Sequence, residues 1–250
     1  MTRAHQFALG TMLGALGLVF VAAGHGEGTV AAPDLAKLVN MEVKHINGEL
    51  SKTTFSKKGQ KRVRMAAFMI AVYAQNAQDN AAAMATLRDQ ALKLMQAAEA
   101  GKADEAKKLA ATLVSDIKPN PAAKTAPVAL ETQLDLETVM RMFSSDKVGG
   151  FGVEKALEDL VDAKGLDAGQ LEKTALLGQK ISLIARLAHA YAPKSDSGSK
   201  TKKSWNALAT EMETGATELA AAAAARKDAD IGKLANKLTA TCTKCHDIFR

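Results

Sequence analysis

Two cysteines and a histidine place the strongest constraint on what this chain can form locally. They stand in the stretch Cys242-Thr243-Lys244-Cys245-His246-Asp247-Ile248-Phe249-Arg250. Cys245 follows Cys242 by three positions and His246 follows it by four, which are the spacings that put side chains on one face of an α-helix. The preceding residues Leu238 and Thr241 are typical of a helix interior. The sequence therefore predicts a helix that presents two thiols and an imidazole together.

The pattern Cys-x-x-Cys-His is the attachment signature of a c-type haem. In such a motif the two thiols add across the vinyl groups of the porphyrin, and the adjacent imidazole becomes an axial ligand of the iron. We therefore predict one covalent haem c as the cofactor, bound by Cys242, Cys245 and His246, with His246 as a metal ligand.

Other interpretations of the motif have less support. The chain has only two cysteines, both in the motif, whereas a structural zinc site usually takes four Cys or His ligands. A thioredoxin-like Cys-x-x-Cys follows a strand and opens a helix, but a helix interior is predicted before Cys242. A chance match or a structural disulfide is the remaining alternative.

The composition favours an all-α fold. Aromatic residues make up only 4% of the chain, alanine is abundant, and β-branched runs are nearly absent. Apolar residues recur with helical spacing in four segments of the first half, which predicts a four-helix bundle with short loops. The predicted helices span residues 33–52, 56–78, 80–101 and 103–117. Pro119, Pro121 and Pro127 then interrupt helix formation, which indicates a linker.

The second half repeats the pattern of the first. Asp135-Leu136 echoes Asp34-Leu35, and Gly178-Gln179-Lys180 echoes Gly59-Gln60-Lys61. A shared period of this length indicates two copies of one bundle. Because Cys242 aligns with Ile117, the first copy has no haem motif. A short helix near residues 154–163, after the Gly149-Gly150 region, lengthens the connection between the first two helices of the second copy.

The N-terminal residues predict export. Residues 1–23 combine a basic start at Arg3, an apolar segment from Phe7 to Val21 and a small-residue cleavage site at Ala23, as a secretory signal peptide does. An uncleaved membrane anchor is the alternative. The predicted divisions are a signal peptide at 1–23, a haemless four-helix repeat at 33–118, a Pro/Ala-rich linker at 119–133 and a haem domain at 134–250. We expect a periplasmic protein without a stable membrane anchor after cleavage.

The second half resembles the cytochrome c-prime family, the class II c-type cytochromes. That family ends its four-helix bundle with Cys-x-x-Cys-His-Asp-x-Phe-Arg, which residues 242–250 match at every defined position. Trp205 and the alanine-rich run to Ala225 are similar as well. The resemblance implies two tandem four-helix bundles, the second of which binds haem c on its last helix.

The resemblance leaves the sixth iron ligand open. Some members leave that position vacant, and low-spin relatives place a methionine from their first helix there. Met140 lies on the helical stripe of Leu136 and Phe143, whereas Met142 lies off it, so Met140 is the predicted metal ligand. The alternative is that Met140 only fills the core. His45 and His189 are interpreted as non-ligands, and Arg250 lies against the haem or complements the helix C-terminus.

These features favour an exported monohaem cytochrome for electron transfer. The alternatives are a five-coordinate protein that binds nitric oxide or carbon monoxide, and a haem-bearing interaction module. We expect no enzyme activity, because no catalytic constellation is present, and no nucleic-acid partner, because the chain is exported. The redox partner protein is unknown. The two bundles are hypothesised to pack on each other in place of a dimer.

A basic cluster in the first copy has two interpretations. It comprises Lys57, Lys58, Lys61, Arg62 and Arg64. A solvated helix face is the commoner origin of such a cluster. The alternative is a surface that steers an acidic partner, with an association rate that falls with salt.

Overall fold

The computed structural model describes residues 32–77, 81–113 and 125–250. Within these ranges the regular structure is helical and no strand is formed, which confirms the predicted all-α class. The predicted signal peptide and residues 119–124 of the predicted linker lie outside the described residues. Over the same described ranges, no helix combines the length and the apolar character needed to cross a bilayer.

Four helices form the first bundle. They are α1 (Ala32–Leu50), α2 (Lys57–Gln75), α3 (Ala81–Glu99) and α4 (Ala103–Thr112). Each helix packs on the next, and α4 returns to α1. Ser56 caps α2 by accepting a hydrogen bond from the Gly59 amide, and Gly101 follows α3 with a φ of +71°, a left-handed conformation that favours glycine.

Five helices form the second bundle. They are α5 (Leu136–Arg141), α6 (Val153–Val161), α7 (Ala168–Ala188), α8 (Lys202–Ala224) and α9 (Asp228–Phe249). Helix α8 packs between α7 and α9, and α6 packs on the other side of α9. Two glycines permit this close packing. A Cβ on Gly178 would lie 2.7 Å from the Ala216 carbonyl oxygen, and one on Gly232 would lie 2.6 Å from that of Val161.

The segment between α5 and α6 departs from the sequence prediction. The stripe through Phe143 predicts a helix that continues to that residue, but α5 ends at Arg141. The chain instead folds back on the helix end, because the carbonyls of Met142 and Phe143 accept hydrogen bonds from the amides of Phe151 and Glu154, both at 3.0 Å. We call residues 142–152 the rim loop.

A buried ion pair joins the two bundles. The Lys180 ammonium on α7 lies 2.7 Å from the Glu42 carboxylate on α1, and the two side chains are 4% and 0% exposed. The Tyr73 hydroxyl on α2 donates a 2.8 Å hydrogen bond to the same carboxylate. Removing such charges from water is costly, and only a well-placed partner offsets the cost. These three side chains therefore fix how α1 lies against α7.

Residues 128–134 also pack on the first bundle, although they fall within or beside the predicted linker. Leu130 and Leu134 are buried. The Gln75 side chain exchanges hydrogen bonds with the backbone amide and carbonyl of Val128, at 2.9 and 3.0 Å. Buried leucines and hydrogen bonds from α2 therefore hold this part of the chain in place, whereas a proline-rich composition alone indicates only a spacer.

Replacing Lys180 with methionine should lower the free energy of unfolding by about 3–5 kcal/mol, because the Glu42 carboxylate stays buried without its cation. Urea denaturation of the full chain measures the change. Lys37→Met is the matched control, since the Lys37–Glu172 pair is 47% and 53% exposed and exposed pairs of this kind contribute little to stability. Adding Glu42→Gln to Lys180→Met should recover much of the loss. Equal effects of Lys180→Met and Lys37→Met would contradict a structural role for the buried pair.

Candidate functional site

The predicted haem-binding residues line one cavity at an end of the second bundle. Its volume is about 540 Å³, within the range of roughly 300–1,000 Å³ that is usual for cofactor sites. Helix α9 contributes Cys242, Cys245, His246 and Phe249, and Arg250 follows it. The facing wall comes from α5 and the rim loop, through Leu136, Glu137, Met140, Arg141, Phe143, Ser144 and Val148. Glu154 of α6 and Trp205 and Met212 of α8 complete the lining.

Aromatic packing holds the end of α9 at the cavity. The Trp205 and Phe249 rings meet edge to face, with centroids 4.9 Å apart and planes at 86°. The Trp205 indole N–H donates a 2.7 Å hydrogen bond to the Ala188 carbonyl at the end of α7. One side chain of α8 therefore positions both neighbouring helices.

Polar contacts fix the rotation of α9. The Thr241 hydroxyl donates to the Glu211 carboxylate on α8, and the Lys244 ammonium contacts the same oxygen, both at 3.0 Å. These two residues flank the first half of the motif. Beside these contacts, Cys242 and Cys245 line the cavity.

Both cysteines carry neutral thiols at neutral pH. Burial raises the pKa of Cys242 to about 11, with a smaller contribution from the nearby Glu154 carboxylate. Burial also raises the pKa of the Cys245 thiol. Neither cysteine is in a disulfide. The two sulfurs are therefore present as thiols, the form that carries the hydrogen consumed when a thiol adds across a vinyl group.

His246 presents a neutral imidazole. Burial lowers its pKa, and the Arg250 guanidinium lowers it further, while Glu154 and Asp247 act in the opposite direction. A neutral imidazole retains a nitrogen lone pair, which is the form that binds a metal. The donor set of two thiols and one imidazole, in a cavity with apolar walls, fits a c-type haem.

The structure separates the two methionines considered for the sixth ligand. Met140 is half-buried and lines the cavity, whereas Met142 is fully buried in the core and does not line it. Met212 on α8 also lines the cavity, and the sequence analysis missed it. It follows Trp205 by seven residues, and this two-turn spacing places both on one helix face.

The two other histidines in the described part of the chain, His45 and His189, lie outside this cavity. The Nδ1 atom of His189 is 3.2 Å from the Asn206 amide oxygen, and His189 is not among the cavity residues. His45 packs on the Phe151 ring, with centroids 5.4 Å apart. It lines a separate cavity of about 530 Å³ among α1, α6 and α7.

The C-terminal part of the chain matches a known protein family. Residues 167–250 match the family described as Cytochrome C', which confirms the cytochrome c-prime resemblance for this part. The match begins at Asp167, the N-cap of α7, and so covers α7, α8 and α9. No curated protein and no solved structure matches the chain. The match indicates a haem-binding cytochrome with a role in electron transfer or gas binding.

Replacing Glu211 with glutamine should lower stability at neutral pH by about 1 kcal/mol or less, since the contacts with Lys244 and Thr241 are partly exposed. Lys244 and then Thr241 hold the pKa of Glu211 below its ordinary 4.5. The contribution is therefore present above pH 4.5 and lost as the pH falls through the lowered pKa. Urea midpoints of both proteins between pH 7 and pH 3 should converge at the acid end.

Lys244→Met serves as the control for this pH dependence, because it removes the largest cause of the lowered pKa. In that background Glu211→Gln should have a smaller effect and a weaker dependence on pH. A stability difference that stays constant down to pH 3 would contradict the assignment to the Glu211 carboxylate.

Proposed function

We propose that this chain, whose residues 167–250 match the Cytochrome C' family, is an exported monohaem c-type cytochrome that transfers electrons. The observation that supports the proposal is the single cavity lined by Cys242, Cys245 and His246 on one helix and by Met140 on another. Two thiols, an imidazole and a thioether together supply both attachment points and both axial ligands of a low-spin haem.

Each of these side chains has a defined role. Cys242 and Cys245 would hold the haem through thioether bonds, and His246 would bind its iron through the neutral imidazole. Met140 would provide a thioether sulfur, a ligand that raises the reduction potential of c-type haems. The haem would supply an iron that gains and loses one electron. With His246 and Met140 both bound to the iron, the chain would act as an electron carrier rather than an enzyme.

The walls of the cavity would also influence the reduction potential of the haem. Phe143 is buried and Leu136 is half-buried, and both present apolar surface to the cavity. Apolar surroundings exclude water and are one of the means by which a protein sets a haem potential. The redox partner would be another protein, which is unidentified. Export to the periplasm is proposed from the signal-peptide pattern of residues 1–23 and agrees with c-type haem attachment.

A five-coordinate gas-binding protein is the second candidate. The observation that favours it is the same apolar wall, from Leu136, Phe143 and Val148, which would accommodate nitric oxide or carbon monoxide if no side chain occupied the sixth position. The two candidates therefore differ in the role of Met140.

Replacing Met140 with alanine should convert the ferric protein from a low-spin to a high-spin absorption spectrum, because the sixth ligand is removed. It should also allow carbon monoxide to bind the reduced protein without displacing a side chain. Met212→Ala is the matched control, since Met212 is a half-buried methionine of the same cavity on a different helix. It should leave the spin state unchanged.

Three outcomes would contradict the assignment of Met140. An unchanged spin state in Met140→Ala would show that this sulfur does not bind the iron. A spin-state change in Met212→Ala alone would transfer the role to α8. A wild-type protein that is already high-spin and responds to carbon monoxide would support the gas-binding candidate.

A further inference from the structure

The rim loop forms part of the cavity wall although it has little regular structure. Ser144 and Val148 line the cavity, and the Val148 side chain is 59% exposed at its edge. Inside the loop, the amides of Val148 and Gly150 donate hydrogen bonds to the Ser145 carbonyl at 3.1 and 3.0 Å. A φ of +94° at Gly149 makes the turn possible. Phe151 and Gly152 donate further backbone hydrogen bonds to the Met142 and Ser144 carbonyls, at 3.0 and 2.8 Å, so these bonds close the base of the loop and the turn at residues 145–149 lies beyond them.

Helix α2 of the first bundle contacts this loop with two cations. The Lys58 ammonium donates a 2.9 Å hydrogen bond to the Lys147 carbonyl. The Arg62 guanidinium lies 2.8 Å from the Asp146 carboxylate and 2.9 Å from Glu49, and its side chain is only 13% exposed. Glu49 and Asp146 contact different nitrogens of the same guanidinium. The pair with Glu49 therefore helps to hold Arg62 where it contacts the loop.

The far end of the rim loop is attached to the second bundle. The Lys180 ammonium lies 3.8 Å from the centroid of the Phe151 ring, a cation–π contact. His45 packs on the same ring. Phe151 is therefore held by Lys180 from the second bundle and by His45 from the first, and the α2 contacts fall elsewhere on the loop, at Asp146 and Lys147.

Two of the five residues in the basic cluster, Lys58 and Arg62, thus contact the loop. Lys57 and Lys61 are exposed, and within the described ranges neither forms an ion pair. The fifth residue, Arg64, pairs with the Glu99 carboxylate at 3.2 Å. The cluster therefore divides into two residues that contact the loop, two that face solvent and one that pairs within the first bundle.

We propose that α2 acts as a strut that holds the rim loop against the cavity, with Lys58 and Arg62 as positioning residues that limit the access of small exogenous ligands to the haem. The inference rests on the proposed function, because it assumes a haem in the cavity. It gives the haemless first bundle a role at the site of the second. Since the contacts are partly exposed charges, salt weakens them, and ligand access increases with ionic strength.

The test uses the double variant Lys58→Met with Asp146→Asn, which removes the hydrogen bond from Lys58 and the charge that attracts Arg62, and leaves the Arg62–Glu49 pair intact. The control is Lys57→Met with Glu158→Gln, which makes the same charge changes at exposed positions. Hydrogen exchange of the Val148, Gly149 and Gly150 amides is measured in the full chain with and without haem. In the double variant we expect exchange about tenfold faster, which corresponds to about 1.4 kcal/mol of opening free energy.

The second readout is the rate of carbon monoxide binding to the reduced haem protein at low and high salt, measured in the Met140→Ala background so that no side chain has to leave the iron first. With Lys58 and Asp146 intact this protein should bind faster at high salt, whereas the double variant in the same background should bind roughly tenfold faster at low salt and lose the salt dependence. Asp146→Asn alone is the fallback if the double variant does not fold. Adding Lys58→Arg to Asp146→Asn retains a donor to the Lys147 carbonyl and should restore part of the protection.

Exchange rates that are the same in wild type, double variant and control would contradict the proposal that α2 holds the rim loop. Faster exchange without a change in carbon monoxide binding would overturn the role in ligand access. If the chain takes up no haem but exchange is faster in the double variant, the proposed function is contradicted. The role of α2 in holding the rim loop is then still supported.

Discussion

The register of α9 is the constraint on which the rest of the second bundle depends. Two thiols and an imidazole must face one cavity, so both the rotation and the position of this helix have to be fixed. Gly232 brings α6 into backbone contact with α9, and Thr241 binds Glu211 on α8. The edge-to-face contact between Trp205 and Phe249 then holds the last turn. Together these contacts set the position and the rotation of the helix that carries the motif.

The first bundle is connected to this site through charge. Glu42 and Lys180 are buried at the junction, where a mispaired arrangement would leave a charge without a partner. That cost disfavours other ways of packing α1 on α7. The same Lys180 contacts Phe151 at the end of the rim loop, and Arg62 of α2 contacts Asp146 within it. One bundle therefore both docks on the other and supports the wall of its cavity.

Much of this organisation could be predicted from the sequence, because it depends on local patterns. The spacing of Cys242, Cys245 and His246, the Ser56 cap and the helical stripe that favours Met140 over Met142 are all properties of short segments. The end of α5 at Arg141 depends on hydrogen bonds from the amides of Phe151 and Glu154. The spacing of apolar residues along the helix does not predict these bonds. The division of the basic cluster depends on Glu49 and Asp146, and the cavity position of Met212 depends on how α8 packs. Such contacts are set by tertiary structure.

The measurement that tests the central claim most directly is a pyridine haemochrome assay on the full chain, matured in a periplasmic expression system and denatured to remove any haem that is not covalently bound. We predict that one haem per chain stays with the protein and gives the spectrum of a haem with both vinyl groups saturated, and that Cys242→Ser with Cys245→Ser abolishes it. Haem that separates from the wild-type chain on denaturation, or a mature chain that contains none, would contradict covalent attachment at Cys242 and Cys245.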